Sequence, residues 1–228
     1  MSTTLSAGGS GTDAPQGFNS DYFSLVYGER RRQSVADALR DRALVRLVRR
    51  HAPSPPACGR PALLDVGCGY GYLLERFRDT YDVYGSDVSD HAATRARTRC
   101  GVVAVCCGSV EDGIEFDLSF SVVLMVNVLE HLKRPVRALE HVREHLMPGG
   151  VCVVHLPTVN NRFNRALYSA TYAKDPTHIF RPSGFAVRRL FESAGFALMQ
   201  ESYFPHWPRR PANFLKIYPP YLGVYLRR

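Results

Sequence analysis

The chain has 228 residues, 45% of them hydrophobic and 22% charged, enough for one core of moderate size and too few for two full α/β domains. Its formal net charge of +8 comes from 26 arginines against three lysines, Lys133, Lys174 and Lys216. The arginines are spread along the chain, so the excess reads either as arginine standing in for lysine or as attraction to an anionic partner. There is no apolar run of about 18 residues, no signal-peptide pattern, and no C-x-x-C or Cys/His zinc spacing among Cys58, Cys68, Cys100, Cys106, Cys107 and Cys152, so a soluble cytoplasmic protein with reduced thiols and no metal is expected.

Met1 to Gly17, rich in Gly, Ser, Thr and Ala, is expected to be a disordered tail. Aromatics then cluster in FNSDYFSLVY, Phe18 to Tyr27. Ser34 followed by Asp37 marks a helix start, with Val35, Leu39, Leu44, Leu47 and Val48 on an apolar face, arginines on the other, and an end before Pro53. The loop to Pro61 leads into ALLDVGCGYGYLLERF, Ala62 to Phe77. Ala62, Leu63, Leu64 and Val66 read as a buried parallel strand and the residues after Gly71 as a helix, so the glycines fall on a strand-to-helix turn, where open α/β sheets bind ligands. Glycine permits the tight turn and a close ligand approach, while the helix amides beyond it stay free to donate. The even spacing of Gly67, Gly69 and Gly71 differs from the dinucleotide fingerprint G-x-G-x-x-G. Asp65 at the strand end repels a pyrophosphate and suits a cationic ligand that carries an ammonium and a sulfonium.

This D-x-G-x-G-x-G stretch resembles the first motif of the class I S-adenosylmethionine-dependent methyltransferases. The resemblance implies an α/β, Rossmann-like fold: a seven-stranded, mostly parallel sheet with helices on both faces and an antiparallel last strand. It implies a single domain over residues 18–228, with an N-terminal helical lid over 18–52 and a substrate-shaping insertion over 157–182. It also implies S-adenosyl-L-methionine as cofactor and S-adenosyl-L-homocysteine as product, with Asp65, Gly67, Cys68, Gly69 and Gly71 at the cofactor. Tyr22, Phe23 and Tyr27 either line the pocket from the lid or merely anchor the N-terminus.

Tyr81 to Ser86 reads as the second strand, ending at Asp87, whose two acceptor oxygens suit both hydroxyls of a ribose, with Val88 beside it. A helix from Asp90 to Arg99 and a third strand from Val102 to Cys107 follow. Relatives usually place an acid after that strand for the adenine amino group; here Ser109 stands there, and adenine recognition falls to backbone groups and Val110. Phe120 to Val126 is an apolar run suited to a central parallel strand buried on both faces. Ser121 and Asn127 depart from the family pattern, and Asn127 lies beside the expected cofactor without a charge. In LEHL, His131 is either a general base or, with Glu130, part of a structural turn. Pro135 opens a helix to His145. MPGG, Met147 to Gly150, makes a sharp stop before a fifth strand, Val151 to Leu156.

Pro157 to Pro182 is long and polar for its place and is expected to shape the acceptor pocket through Asn160, Asn161, Arg162, Tyr168, Tyr172 and His178. DPTHIF resembles a D-x-x-H of related small-molecule enzymes, so His178 with Asp175 is either an oriented base or a loop fastener. Ser183 caps a helix to Ser193, Gly195 ends it, and Ala197 to Tyr203 is a strand. Asn213 to Arg228 reads as the final strand, or else Trp207, Tyr218 and Tyr221 touch a membrane surface. The expected reaction is methyl transfer to an oxygen, or secondarily a nitrogen, of a small molecule. With no RNA-binding module and no basic stripe, a nucleic-acid partner is not expected. Methylation of RNA or protein, and a non-catalytic cofactor-binding protein, are the rival readings.

Overall fold

The computed structural model describes residues 18, 22, 35–99, 101–173, 175–203, 216 and 219–228. Seven strands make one sheet: β1 Ala62–Val66, β2 Asp82–Asp87, β3 Val102–Cys107, β4 Phe120–Val126, β5 Leu146–Pro157, β6 Phe196–Ser202 and β7 Pro220–Arg227. Their order is β3-β2-β1-β4-β5-β7-β6. Strands β1 to β5 pair in parallel, and β7 runs antiparallel between β5 and β6.

The two-residue period of the central strands divides the interior in two. Val123, Met125, Cys152 and Val154 face one core, and Val122, Leu124, Val151 and Val153 face the other. The first core is closed by α3, Pro135–His145, and α5, Gly184–Ser193; the second by α1, Val35–His51, and α2, Asp90–Arg97. Helices therefore cover both faces. Phe120 and the run from Val122 to Met125 have no exposed surface, and each large apolar side chain buried in this way is worth about 1.5–3 kcal/mol. Helix starts follow local chemistry: Ser89 accepts from the Ala92 N–H at α2 and Ser183 from the Ala186 N–H at α5. Asn161 does the same with the Asn164 N–H at α4, Arg162–Thr171.

Five elements differ from the sequence reading. The helix expected after Gly71 is a single 3-10 turn, Leu74–Arg76, because the buried Leu74 and Phe77 stand three apart, the spacing that such a turn stacks on one side. The Pro-Gly-Gly stretch does not stop the chain ahead of β5 but bulges within it. Leu146 pairs with Phe120 and Val151 with Val122, so the residues between them loop out, with Gly149 at φ +76°. In α1, Val35 and Leu39 are exposed while Asp41 is fully buried, since the helix packs through Leu44, Leu47 and Val48 and turns Asp41 toward Arg40. The insertion contains α4, made possible by the Asn161 cap. Finally, of the two readings of the tail the strand holds, but it begins at Pro220. The membrane alternative fails at Tyr221, which lies in β7 with no exposed surface and its hydroxyl 2.6 Å from that of Tyr225.

No helix among the described residues is long and apolar enough to cross a membrane. Cys58, Cys68, Cys106, Cys107 and Cys152 are free thiols. The tail to Gly17, and Phe23, Tyr27, Ser34, Cys100, Trp207, Tyr218 and the stretch from Asn213 to Leu215, lie outside the described residues.

Candidate active site

Strands β1, β2 and β3 step outward in one direction and β4 and β5 in the other. The sheet therefore leaves a crevice beyond the carboxyl ends of β1 and β4. A cleft of about 960 Å³ occupies it, at the large end of the roughly 300–1,000 Å³ typical of small-molecule sites. Asp65, Gly67, Cys68, Gly69, Asp87, Val88, Ser109, Val110, Asn127, His131 and His178 all line it.

The glycine turn forms one part of its lining. Gly67 and Gly69 have φ of +68° and +53°, and a Cβ on Gly67 would come within 2.6 Å of Val128 Cγ2. The Gly69 N–H donates to Asp87 Oδ2 at 2.8 Å and the Ser89 N–H to Oδ1 at 2.9 Å. Burial raises the Asp87 carboxyl above its ordinary value, and these two donors oppose the rise. Each oxygen retains capacity for a further donor, which is what a ribose diol needs. Asp65 is almost fully buried; desolvation and then neighbouring Asp41 hold its carboxyl well above the usual range, against the Arg40 guanidinium. Burial likewise pushes the Cys68 thiol up. Gly71 does not line the cleft. Its φ is +75°, and a Cβ there would press on Arg99 Cγ at 3.1 Å and Ala96 Cβ at 3.3 Å, so it lets the turn pack on α2.

Ser109 accepts from the Glu111 N–H at 3.2 Å and fixes the turn beside Val110. Asn127 has φ +56°, a left-handed backbone that Asn tolerates better than most residues. Its N–H donates to the His155 carbonyl at 2.7 Å, and its Oδ1 accepts from His155 Nδ1 at 3.0 Å. The uncharged side chain at this position is thus part of how the chain turns out of β4.

A 3-10 turn, Leu129–His131, brings Glu130 and His131 to the same cleft as Asp175 and His178 of the loop after α4. Asp175 accepts from the Thr177 hydroxyl at 2.5 Å and from the Thr177 N–H at 2.9 Å. The Thr177 hydroxyl hydrogen is thereby committed. Its oxygen, at 2.9 Å, and the Thr177 carbonyl, at 3.1 Å, both face His131 Nδ1. Nδ1 must carry the hydrogen, and Nε2 keeps its lone pair. Burial, with His178 beside it, lowers His131 to about 4. This arrangement corrects the expected Asp175–His178 pair: His178 Nε2 is 3.7 Å from Asp175 Oδ2, beyond a hydrogen bond, and its Nδ1 meets the Tyr168 hydroxyl at 3.2 Å. The imidazole that Asp175 orients, through Thr177, is His131. Burial also lowers His178, against the pull of Asp175.

Glu130 is fully buried and neither carboxylate oxygen has a hydrogen-bond partner among the described residues; burial raises it to about 8. Phe18 sets its ring edge-on to His131 at 5.3 Å, and Tyr22 donates to Asp175 Oδ2 at 3.2 Å. Tyr172 lines the cleft as expected. Asn160 and Asn161 do not: Asn160 Oδ1 accepts from the Gly184 N–H and Asn161 caps α4, while Arg162 is exposed. Sequence reasoning missed Thr177 and also Asp37 and Arg40, which line the cleft from α1. The one signal for Arg40 was its acidic neighbours, Asp37 at 2.8 Å and Asp41 at 3.0 Å.

A family model described as a methyltransferase domain matches residues 27–201. A dTDP-4-amino-2,3,4,6-tetradeoxy-D-glucose N,N-dimethyltransferase of Saccharopolyspora spinosa is 34% identical over 144 residues, covering 60% of this chain and 53% of the relative. A ubiquinone biosynthesis O-methyltransferase of Cereibacter sphaeroides is 35% identical over 96 residues, covering 40% of this chain and 39% of the relative. The chain thus spans about half the length, or less, of these relatives. Among solved structures, the magnesium protoporphyrin IX methyltransferase of Synechocystis, with bound S-adenosylhomocysteine, aligns with a TM-score of 0.63 at 14% identity, over 91% of this chain and 94% of that one. At that identity the likeness carries the fold alone.

Proposed function

This chain belongs to the class I S-adenosylmethionine-dependent methyltransferases, and from that premise we propose that it methylates a nitrogen or oxygen of a small molecule held against His131, His178 and Glu130. The observation that carries this reading is the single cleft that the glycine turn and Asp87 share with Glu130, His131 and His178. Its volume has room for a cofactor and a small acceptor together.

The cofactor is S-adenosylmethionine, which supplies a sulfonium-activated methyl group and leaves as S-adenosylhomocysteine. In this reading Asp87 would hold the ribose, the turn from Gly67 to Gly69 would take the methionyl portion, and Ser109 and Val110 would border the adenine. Arg40 and Asp65 line the same cleft. The remaining work is positioning: an acceptor fixed against the methyl group gains most of the rate from orientation and exclusion of water. Phe18, Tyr22 and Tyr172 add aromatic walls to the cleft. Where a proton must leave, His131 Nε2, its tautomer fixed by Thr177, offers a lone pair, as a weak base because burial lowers it to about 4. Expectation from sequence favoured oxygen; the amino-sugar relative methylates nitrogen, and the unpartnered carboxylate of Glu130 suits an amine, so both acceptor types belong in the test.

Calorimetry should find S-adenosylmethionine and S-adenosylhomocysteine binding with one site per chain, NAD not binding, and Asp87→Ala losing both ligands. Transfer of labelled methyl is then measured to nucleotide-linked amino sugars and to catechols. Cofactor binding without transfer to any amine or hydroxyl would sink the acceptor assignment, and binding of NAD in place of the sulfonium ligand would sink the cofactor assignment.

A further inference from the structure

We infer that Glu130, His131 and His178 form a binding site for a first-row divalent metal ion at the acceptor end of the cleft. Each offers one ligand atom, and the three atoms lie within 4.8 Å of one another. They come from two segments, the turn after β4 and the loop after α4, which is why no local Cys/His spacing announces them.

Three features of the geometry point to a cation. Glu130 has no exposed surface, yet both of its carboxylate oxygens lack a hydrogen-bond partner among the described residues. A buried carboxylate without partners is strongly disfavoured unless a cation or a proton compensates it. His131 is oriented as metal-bound imidazoles are: the hydrogen on Nδ1 is held by the Thr177 carbonyl and hydroxyl oxygens, and Asp175 anchors that hydroxyl in turn. The lone pair on Nε2 is left for a ligand. The two imidazoles also lie side by side, ring centroids 4.8 Å apart and planes at 70°, and His178 is steadied at Nδ1 by the Tyr168 hydroxyl.

The donor set selects the ion. Two imidazoles and one carboxylate suit zinc, cobalt or ferrous iron, whereas magnesium and calcium call for oxygen ligands. Bonds of about 2.0–2.2 Å bring ligand atoms to about 3–3.5 Å of one another, so the cluster must draw in slightly. The unpartnered Glu130 side chain is the member free to do so. Three protein ligands leave positions open toward the cleft, and an acceptor hydroxyl or amine that fills one would have its proton affinity lowered by the ion. That role rests on the methyl-transfer reading and turns His131 and His178 from proton acceptors into ligands. The existence of the site does not rest on it.

The test uses tag-free, full-length protein stripped with a chelator. Cobalt(II) is titrated and followed by its visible absorption, zinc is titrated in competition with a chromophoric chelator, and S-adenosylhomocysteine binding is measured on the same samples. One cobalt per chain is expected, with affinity at least tenfold weaker in Glu130→Gln and a hundredfold weaker in His178→Ala, while S-adenosylhomocysteine affinity stays within twofold and circular dichroism is unchanged. Wild-type protein that binds S-adenosylhomocysteine but takes up neither ion stoichiometrically overturns the metal site and leaves the methyltransferase reading intact. Uptake that both variants preserve overturns it too, by moving the ion elsewhere. Stoichiometric cobalt with no S-adenosylhomocysteine binding supports the site and counts against the cofactor assignment instead.

Discussion

Thr177 is the residue on which the acceptor end turns. Its hydroxyl receives the His131 Nδ1–H and donates to Asp175, so one small side chain fixes both the tautomer of the imidazole and the place of the loop. Thr177→Val keeps the shape and removes the hydroxyl, and the Thr177 carbonyl still faces the ring at 3.1 Å. We expect turnover to fall about tenfold, the usual scale for losing an orienting partner of a functional imidazole, with S-adenosylhomocysteine affinity unchanged by calorimetry. A variant that kept its full rate would show that the carbonyl suffices. From sequence His131 and His178 were legible as residue types, but Thr177 was not, because its part depends on a contact between segments 46 residues apart. Asn160 and Asn161 erred in the opposite direction: their side chains accept from backbone N–H groups at the starts of α5 and α4, as Asn often does at helix starts, and do not line the pocket.

Among elements, the turn from β1 to the 3-10 segment is the most tightly specified. Gly67 combines a left-handed backbone with a side-chain methyl 2.6 Å from where a Cβ would sit. Gly67→Ala should therefore cost on the order of 2–4 kcal/mol in urea unfolding, from backbone strain and overpacking together. Val128→Ala removes the clashing methyl but not the strain, so the double variant should recover only part of the loss, against the cost of Val128→Ala alone. Full additivity of the two changes would mean that the turn yields elsewhere and that the close approach to Val128 is not what excludes a side chain. Strand β4, a buried apolar run, was readable to the residue, since a strand covered on both faces admits little else. The edge strand β3, in which Val105 alone is buried, was readable from its β-branched run between turn residues. The bulge in β5 and helix α4 were not. A Pro-Gly-Gly run marks irregular backbone without saying whether the strand resumes pairing around it. The face of α4 carries Phe163 in the open and Tyr168 buried, a pattern that only its neighbours explain.

At the scale of the whole molecule, both cores cross the switch point of the sheet. The first holds Leu64 of β1 together with Tyr225 of β7, and the second holds Val83 of β2 together with Val224 of β7. Strand β7 lies between β5 and β6 and ties the strand that leads into the acceptor loop to the end of the chain. A ligand gripped at the glycine turn should therefore stabilise the acceptor half as well, and unfolding should be one cooperative event. With S-adenosylhomocysteine at about 100 times its dissociation constant, mass action adds about 2.7 kcal/mol, which for a chain of this size raises the melting temperature by about 5–10 °C. Calorimetric scans should show a single transition that moves by that amount with S-adenosylhomocysteine and stays in place with NAD. Two transitions, only one of them moved by the ligand, would mean that the glycine turn and the His131 cluster belong to separately folding halves. The cleft between them would then be a contact between units that move apart, and rate loss in distant variants would be expected to follow their opening rather than their chemistry.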